Sequence, residues 1–358
     1  MEYQPLPSQS GDHLGKEAPH HQPGAIPDWD RIEASEDRCI ETRRVTITEQ
    51  HCIGHFEGEA ENTPKIMPLY KLLRNFIEVT AMSSNRMDGY TNYQLPEAVT
   101  INVGSALPMG VECEERIFPI DVFENSTEYA IWRANAPAEK DQIRFSAQLG
   151  MFNKDLFSSQ PRAQVGEQLF PIHPETVLKD HAEIAQILPH GPEIVMIDGI
   201  ISPKDPGVIM ESFHQVTTQD FLSLNLPFGG GEFAKENPVA MFDIASTLEG
   251  LGQTGYIYFQ EVRPGQTIPV FTKIEATLNH QHQPNVGDII YYQLTSFERT
   301  GSKGSISGQV LANDHKTVIS QFNISARLMA RGLLMGYIKE MKKQPATKPA
   351  DQPTQDKA

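Results

Sequence analysis

A repetition governs what this chain can fold into. Val45-Thr46-Ile47-Thr48-Glu49 alternates apolar and polar residues as a half-buried strand does. It runs through Gln50-His51-Cys52-Ile53 into the turn Gly54-His55-Phe56, and an apolar helical pattern follows. A second segment, Phe228-Gly229-Gly230-Gly231-Glu232-Phe233, also precedes an apolar helical pattern, but a glutamate stands where the first has its histidine. Two copies of one strand–turn–helix unit predict two similarly folded halves. The exchange of His55 for Glu232 predicts one retained site and one lost site.

The remaining periodicity fits this division. In the first half, apolar residues at 69, 72, 73, 76 and 77 have helical spacing, and Pro68 suits a first helical turn. Strand-like runs follow at Ala98 to Val103, Cys113 to Phe123, Glu128 to Ala134 and Gln142 to Phe152, with Asn125-Ser126 and Ala136-Pro137 as connections. The second half opens with a helix at His181 to Leu188, then strands at Ile194 to Ile197 and Val208 to Val216. A long helix is expected from Val239 to Tyr258, with 241, 244, 245, 248 and 251 on one face. Strands follow at Phe271 to Leu278, Ile289 to Glu298, Gly304 to Leu311 and Thr317 to Leu328, turning at Gly301 and Asn313-Asp314. Each half is thus a long helix against an antiparallel sheet, an α+β arrangement. The expected boundaries are a flexible arm at 1–28, a first unit at 29–152, a linker at 153–180, a second unit at 181–332, and a short helix with a polar tail at 333–358.

Charge and cysteine content narrow the partners. A net charge of −16 argues against nucleic acid, whose phosphates need a basic face. The same charge means that docking an acidic carrier protein would need a local basic patch. No run reaches the roughly 18 apolar residues of a membrane span. Cys39, Cys52 and Cys113 are too few for a disulfide framework, so a reducing cytoplasm is the expected compartment. The histidines and cysteines lack metal-ligand spacing, so no metal is expected. Gly229-Gly230-Gly231 is not followed by Gly-Lys-Ser/Thr, which favours a tight turn over phosphate binding.

Several motifs in order carry a family resemblance. The strand leading to Gly54-His55-Phe56 resembles the strand-and-turn motif of hot-dog-fold 3-hydroxyacyl-ACP dehydratases. Ile187-Leu188-Pro189-His190 with Met196-Ile197-Asp198 resembles that family's opening segment. Glu249-Gly250-Leu251-Gly252-Gln253 is similar to its acid-x-x-x-Gln helix motif, and Val286-Gly287-Asp288 with the following strands resembles its closing sheet. The resemblance implies a double hot-dog, two units each with a long helix wrapped by antiparallel sheet, similar to polyketide synthase dehydratase domains. It implies one composite site, with His55 from the first unit and Glu249 from the second, supported by Gln253, Gly54 and Phe56. The vestigial twin falls to Glu232 and Arg74, which are expected to approach each other, with Glu78 as the alternative to Arg74. Asp243 is the rival acid: it follows Pro238 closely, as in the polyketide-type motif, but Thr247 stands where Gln is expected.

The implied reaction is loss of water from a 3-hydroxyacyl group on an acyl carrier protein, in fatty-acid, polyene or polyketide-type synthesis. Histidine near neutral pKa suits removal of the C2 proton, and a carboxylic acid suits delivery of one to the leaving hydroxyl. The thioester itself acidifies C2, so no cofactor is expected. Gly250 and Gly252 would allow close packing beside an acyl chain. Other synthase components and a second copy of the chain are the further partners this family allows. Two alternatives share the fold: a non-catalytic protein that binds acyl chains or stabilises a partner enzyme, and an acyl thioesterase.

Overall fold

The structure, a computed structural model, describes residues 41–47, 68–85, 92–107, 110–117, 124–133, 142–157, 172–173, 176–188, 195–224, 239–262, 267–330, 332–334 and 336. Gly54, His55, Phe56, Glu232, the expected arm at 1–28 and residues 337–358 lie outside the described residues.

Alternation builds the sheet. In β5 (Ile143–Asn153), Ile143, Phe145, Ala147 and Leu149 are buried while Arg144, Ser146 and Gln148 face out. The first half also contains β1 (Glu41–Thr46), β2 (Asn92–Val103), β3 (Glu112–Ile117) and β4 (Ser126–Arg133). The second has β6 (Val177–Asp180), β7 (Gly199–Ile201), β8 (Met210–Gln215), β9 (Phe221–Leu224), β10 (Val239–Phe242), β11 (Thr267–Leu278), β12 (Ile289–Thr300), β13 (Lys303–Leu311) and β14 (Val318–Ala330). Twelve of these strands form one sheet in the order β1-β3-β4-β5-β2-β11-β14-β13-β12-β8-β7-β6. With β8 in the role of β1 and β11 in the role of β2, both halves show the same order: β1-β3-β4-β5-β2 and β8-β12-β13-β14-β11. The chain is an α+β double hot-dog.

In each half a long helix lies in sequence between the first and last strands of the pattern, β1 and β2 or β8 and β11. In α1 (Leu69–Asn85), Leu72, Leu73, Phe76, Ile77 and Ala81 are all buried, so one stripe faces the core. Burying each of the four larger side chains contributes roughly 1.5–3 kcal/mol. The first-turn bond runs from the Lys71 N–H to the Pro68 carbonyl at 3.2 Å. The short α2 (His181–Ile187) is closed by a reciprocal cap between Asp180 and Glu183. The second long helix, α3 (Ser246–Val262), packs on β12, β13, β8 and α1. Among the described residues no helix is long and apolar enough to cross a membrane.

Three local expectations are corrected. The helix expected from Val239 begins only at Ser246, because Val239–Phe242 pairs as β10 with β9, Phe242 opposite Phe221. The apolar run therefore spans a strand and a helix, and each buries it on the same core. The strand expected at Ile194 to Ile197 does not form over its described residues 195–197, since the Met196 N–H goes to the Gln253 side chain instead of a ladder partner. Third, β6 lies at the end of the span expected as a linker, and pairs with β7 at the sheet edge.

The halves meet where β2 and β11 pair antiparallel, from Asn102↔Lys273 to Ala98↔Thr277. A buried histidine fastens the same junction. His280 donates from Nε2 to the Pro96 carbonyl at 2.9 Å, and its ring meets Phe152 edge-on at 5.5 Å between centroids. Burial pushes its pKa down to about 4, against a partial opposing effect of the Pro96 bond. The unfolded chain therefore takes up a proton first, and stability falls as pH drops from about 6.5 towards 4. His280→Gln keeps a donor without a titration. We expect urea unfolding of wild type to lose roughly 3 kcal/mol more than His280→Gln between pH 7 and pH 4; parallel losses in the two proteins would refute this origin.

Candidate active site

Two antiparallel strands bring a pair of acids together. Asp220 stands just before β9 and Asp243 just after β10, so the pairing of Phe221 with Phe242 sets them side by side. The Asp243 N–H donates to the Asp220 carbonyl at 2.8 Å. Asp243 then opens α3: its carbonyl accepts from the Ser246 N–H at 3.0 Å and the Ser246 hydroxyl at 2.7 Å. Asp243 thus precedes the helix, a correction to its expected place on the same helix as Glu249. The residue is only 4% exposed, and its Oδ1 has no hydrogen-bond partner among the described residues.

From the other half, α1 supplies Tyr70, Arg74 and Glu78, four residues apart and hence on one face. Arg74 Nε donates to Glu78 Oε1 at 3.2 Å, and Arg74 Nη1 lies 3.7 Å from Asp243 Oδ2. The second distance is an ion-pair contact, too long for a strong hydrogen bond. Burial pushes the Asp243 carboxyl up to about 6; Arg74 and the Ala245 N–H pull it down, while Glu78 and Asp220 add to the rise. Glu78 is also raised by burial, against Arg74. Burial works against the charge of Arg74, but Asp243 and Glu78 outweigh it and hold the guanidinium protonated. One cation thus serves the buried Asp243 and the partly exposed Glu78, and Asp243 holds its proton up to about pH 6.

Glu249 lies in the first turn of α3 and is half-buried. Its Oε1 accepts from Gln253 Nε2 at 3.1 Å, and Gln253 Oε1 accepts the Met196 N–H at 2.9 Å. Gln253, 1% exposed, is held at both ends and aims its amide at the carboxylate, the orienting contact that the helix spacing implies. Tyr70, 4% exposed, is the link that the sequence does not signal. Burial raises its phenol pKa, and the nearby charges of Glu249 and Asp243 raise it further, so it stays a neutral donor beside both acids.

Of the candidates, the described residues bring together Asp243, Arg74 and Glu78, while Glu249 pairs with Gln253 and the charges of both Asp243 and Glu249 act on the buried Tyr70. His55 belongs to the connection between β1 and α1, outside the described residues, as do Gly54 and Phe56; Glu232 lies outside them too, between β9 and β10. The expected Arg74–Glu232 approach therefore has only its Arg74 half described, and Arg74 is met by Asp243 and Glu78. The glycines expected beside an acyl chain meet aromatic rings instead: a Cβ on Gly250 would collide with Tyr292, and one on Gly252 would meet Phe271 at 3.4 Å. Between α3 and the sheet, Gly255, Phe259, Phe271, Phe297 and Ile306 enclose a seam of only about 30 Å³. Cys113 is buried and its thiol pushed up to about 12 by burial and by Glu115, which removes it as a nucleophile at neutral pH.

No family model and no curated protein matches the sequence. Among solved structures, an inactive CurJ dehydratase variant in complex with a small compound aligns at 13% identity, over 85% of this chain and 97% of that one, with a TM-score of 0.49. The dehydratase domain of PpsC from Mycobacterium tuberculosis aligns at 10% identity, over 84% and 97%, with a TM-score of 0.47. The 12:0-ACP thioesterase from Umbellularia californica aligns at 10% identity, over 81% and 98%, with a TM-score of 0.45.

The Tyr292 ring pressed onto α3 gives a test of this packing. Glycine to alanine inside a helix ordinarily gains about 0.5–1 kcal/mol. At Gly250 the collision with Tyr292 reverses the sign, since overpacking costs about 1–3 kcal/mol. Gly250→Ala should lower the urea midpoint, and Gly250→Ala with Tyr292→Phe should remain lowered because the ring carbons still collide. A stabilised Gly250→Ala protein would refute the contact.

Proposed function

We propose that the chain processes acyl thioesters and eliminates water from a 3-hydroxyacyl group presented on an acyl carrier protein. The observation that carries this reading is the Asp243 carboxyl: buried, inclined to hold a proton near pH 6, with one oxygen unpartnered among the described residues, at the mouth of α3 and against α1 of the other half. It joins the motif evidence for His55. His55 takes the C2 proton as general base; the C2 electron pair forms the C2–C3 double bond, and the C3–O bond breaks. Asp243 gives its proton to the departing hydroxyl, which leaves as water, and the product is a 2-enoyl thioester.

The acid is thereby reassigned. Glu249 remains beside the site with its Oε1 accepting from Gln253, whereas Asp243 is the more deeply buried group and burial pushes its carboxyl up to about 6. Tyr70, whose phenol burial and both carboxyls keep neutral, is a donor suited to a hydroxyl or carbonyl oxygen. A second reading, thioester hydrolysis, draws on the same Glu249: an oriented, half-buried carboxylate can activate water.

The two reactions separate in one assay of the purified protein with a 3-hydroxyacyl carrier-protein thioester. Enoyl formation without free thiol supports dehydration; thiol release without enoyl formation supports hydrolysis; neither, with the acyl carrier protein still bound, supports a non-catalytic role. For dehydration, His55→Ala and Asp243→Asn should each lose about 100- to 10,000-fold in kcat, Glu249→Gln less, and Glu232→Ala little. Asp243 must be protonated to act, so kcat should decline as pH rises through about 6. Equal losses in Glu232→Ala and His55→Ala would rule out a single composite site.

A further inference from the structure

On β8, His214 sits between two carboxylates. Its Nε2 lies 3.0 Å from Asp220 Oδ2 as a hydrogen bond, and its Nδ1 lies 3.0 Å from Asp198 Oδ2 at an angle that makes an ion-pair contact. Both acids are also tied to backbone. Asp198 accepts the Gln215 N–H at 2.6 Å, and Asp220 accepts the Thr217 N–H at 2.6 Å and the Thr217 hydroxyl at 2.8 Å. Asp220 in turn holds the Asp243 N–H through its carbonyl. Two links therefore join a strand histidine to the residue at the mouth of α3, His214 to Asp220 and Asp220 to Asp243, and the Asp243 carbonyl in turn holds the first turn of the helix.

We propose that His214 is a positioning residue for Asp243, clamping Asp220 at the base of the β9–β10 ribbon and offsetting the negative charge that Asp220 would otherwise direct at the Asp243 carboxyl. This role rests on the reading of Asp243 as the acid of the proposed reaction. Burial opposes a charge on His214, but Asp198 and Asp220 outweigh it and raise its pKa to about 10, so it is a cation throughout the neutral range. Both aspartates are held below their ordinary values, burial notwithstanding, by the same histidine. The other groups around the chain of contacts are Arg74, Glu78 and Tyr70 on α1, His181 near Asp198, and the buried Tyr292 on β12, which faces Asp198, Asp220 and Asp243. Arg74 is the cation in direct contact with Asp243, and His214 acts one residue removed.

The geometry fixes opposite signs for two substitutions. His214→Gln retains a donor to Asp220 but removes the charge, so the field of Asp220 on Asp243 goes unopposed and the carboxyl should hold its proton to higher pH. Asp220→Asn removes the field and should do the reverse. A general loosening of the site would move both variants the same way.

The test reads Asp243 directly and does not need turnover. The full chain, labelled with carbon-13 at aspartate carboxyls, is titrated by NMR, the Asp243 resonance being assigned by its loss in Asp243→Asn. Wild type should titrate near 6, His214→Gln about one unit higher, Asp220→Asn about one unit lower, and His214→Lys back towards wild type. Unmoved midpoints, shifts in the same direction, or no recovery in His214→Lys would overturn the role. If His214→Gln does not fold, His214→Asn takes its place against Asp220→Asn: opposite shifts support the role, and shifts in one direction or none overturn it. Opposite shifts in a protein that forms no enoyl product would retain the electrostatic role and reject the dehydratase reading; enoyl formation with unmoved midpoints would do the converse.

Discussion

The antiparallel pairing of β2 with β11 is the contact on which the remainder depends. Either half alone would end in an open strand edge with unpaired N–H and C=O groups. Joined, they place Ile101 opposite Ile274 and Val99 opposite Ala276, all buried, and make one twelve-stranded sheet. The continuous sheet lays α1 against α3, and only that contact lets a guanidinium of the first half reach a carboxyl of the second. His280 reinforces the joint from the second half by bonding the Pro96 carbonyl, where a bulge in β2 interrupts its register with β5.

The charged groups at this joint are tolerated because each compensates another. An isolated buried carboxylate would cost several kcal/mol of desolvation. Asp243 avoids the full cost in two ways, by lying near Arg74 and by holding a proton more readily than a solvated aspartate. Glu78 takes the short side of the same guanidinium, which leaves Asp243 with the longer contact. Below β9 and β10, His214 performs a comparable service for Asp198 and Asp220. The charged groups of the candidate site therefore alternate in sign, and the buried Tyr292, which its own burial and their carboxylates keep neutral, adds no charge of its own.

Much of the fold was legible because its signals are local. Leu72, Leu73, Phe76 and Ile77 mark α1 by their spacing alone, and the alternation of β5 marks its buried face. Gln253 was legible for the same reason, since four residues along a helix put it on the face of Glu249. Val239–Phe242 misled because a short apolar run reads equally as strand or helix, and its partner Phe221–Leu224 lies across a long insertion. Asp243 was legible only as the rival acid after Pro238: its burial and its unpartnered oxygen arise where the two halves meet, and no local pattern connects residue 74 with residue 243. His214 looked like an ordinary strand residue because Asp198 and Asp220 reach it from two different connections.

The asymmetry between the halves has a physical use on the proposed reading. A carboxyl that must release a proton to a leaving hydroxyl serves badly if it is ionised at working pH, and equally badly if burial holds the proton too firmly. Burial alone would drive Asp243 towards the second failure, and an unopposed Arg74 towards the first. Sharing Arg74 with Glu78 weakens the cation's hold on Asp243, while His214 restrains the contribution of Asp220. A symmetric pair of units would have to build this balance twice from one sequence. In the fused chain α1 can carry Arg74 and Glu78 while α3 carries Glu249 and Gln253, so each half is free to supply what the other's carboxyl requires. On that reading only one interface is specialised, and the acid's strength is set by residues from both halves.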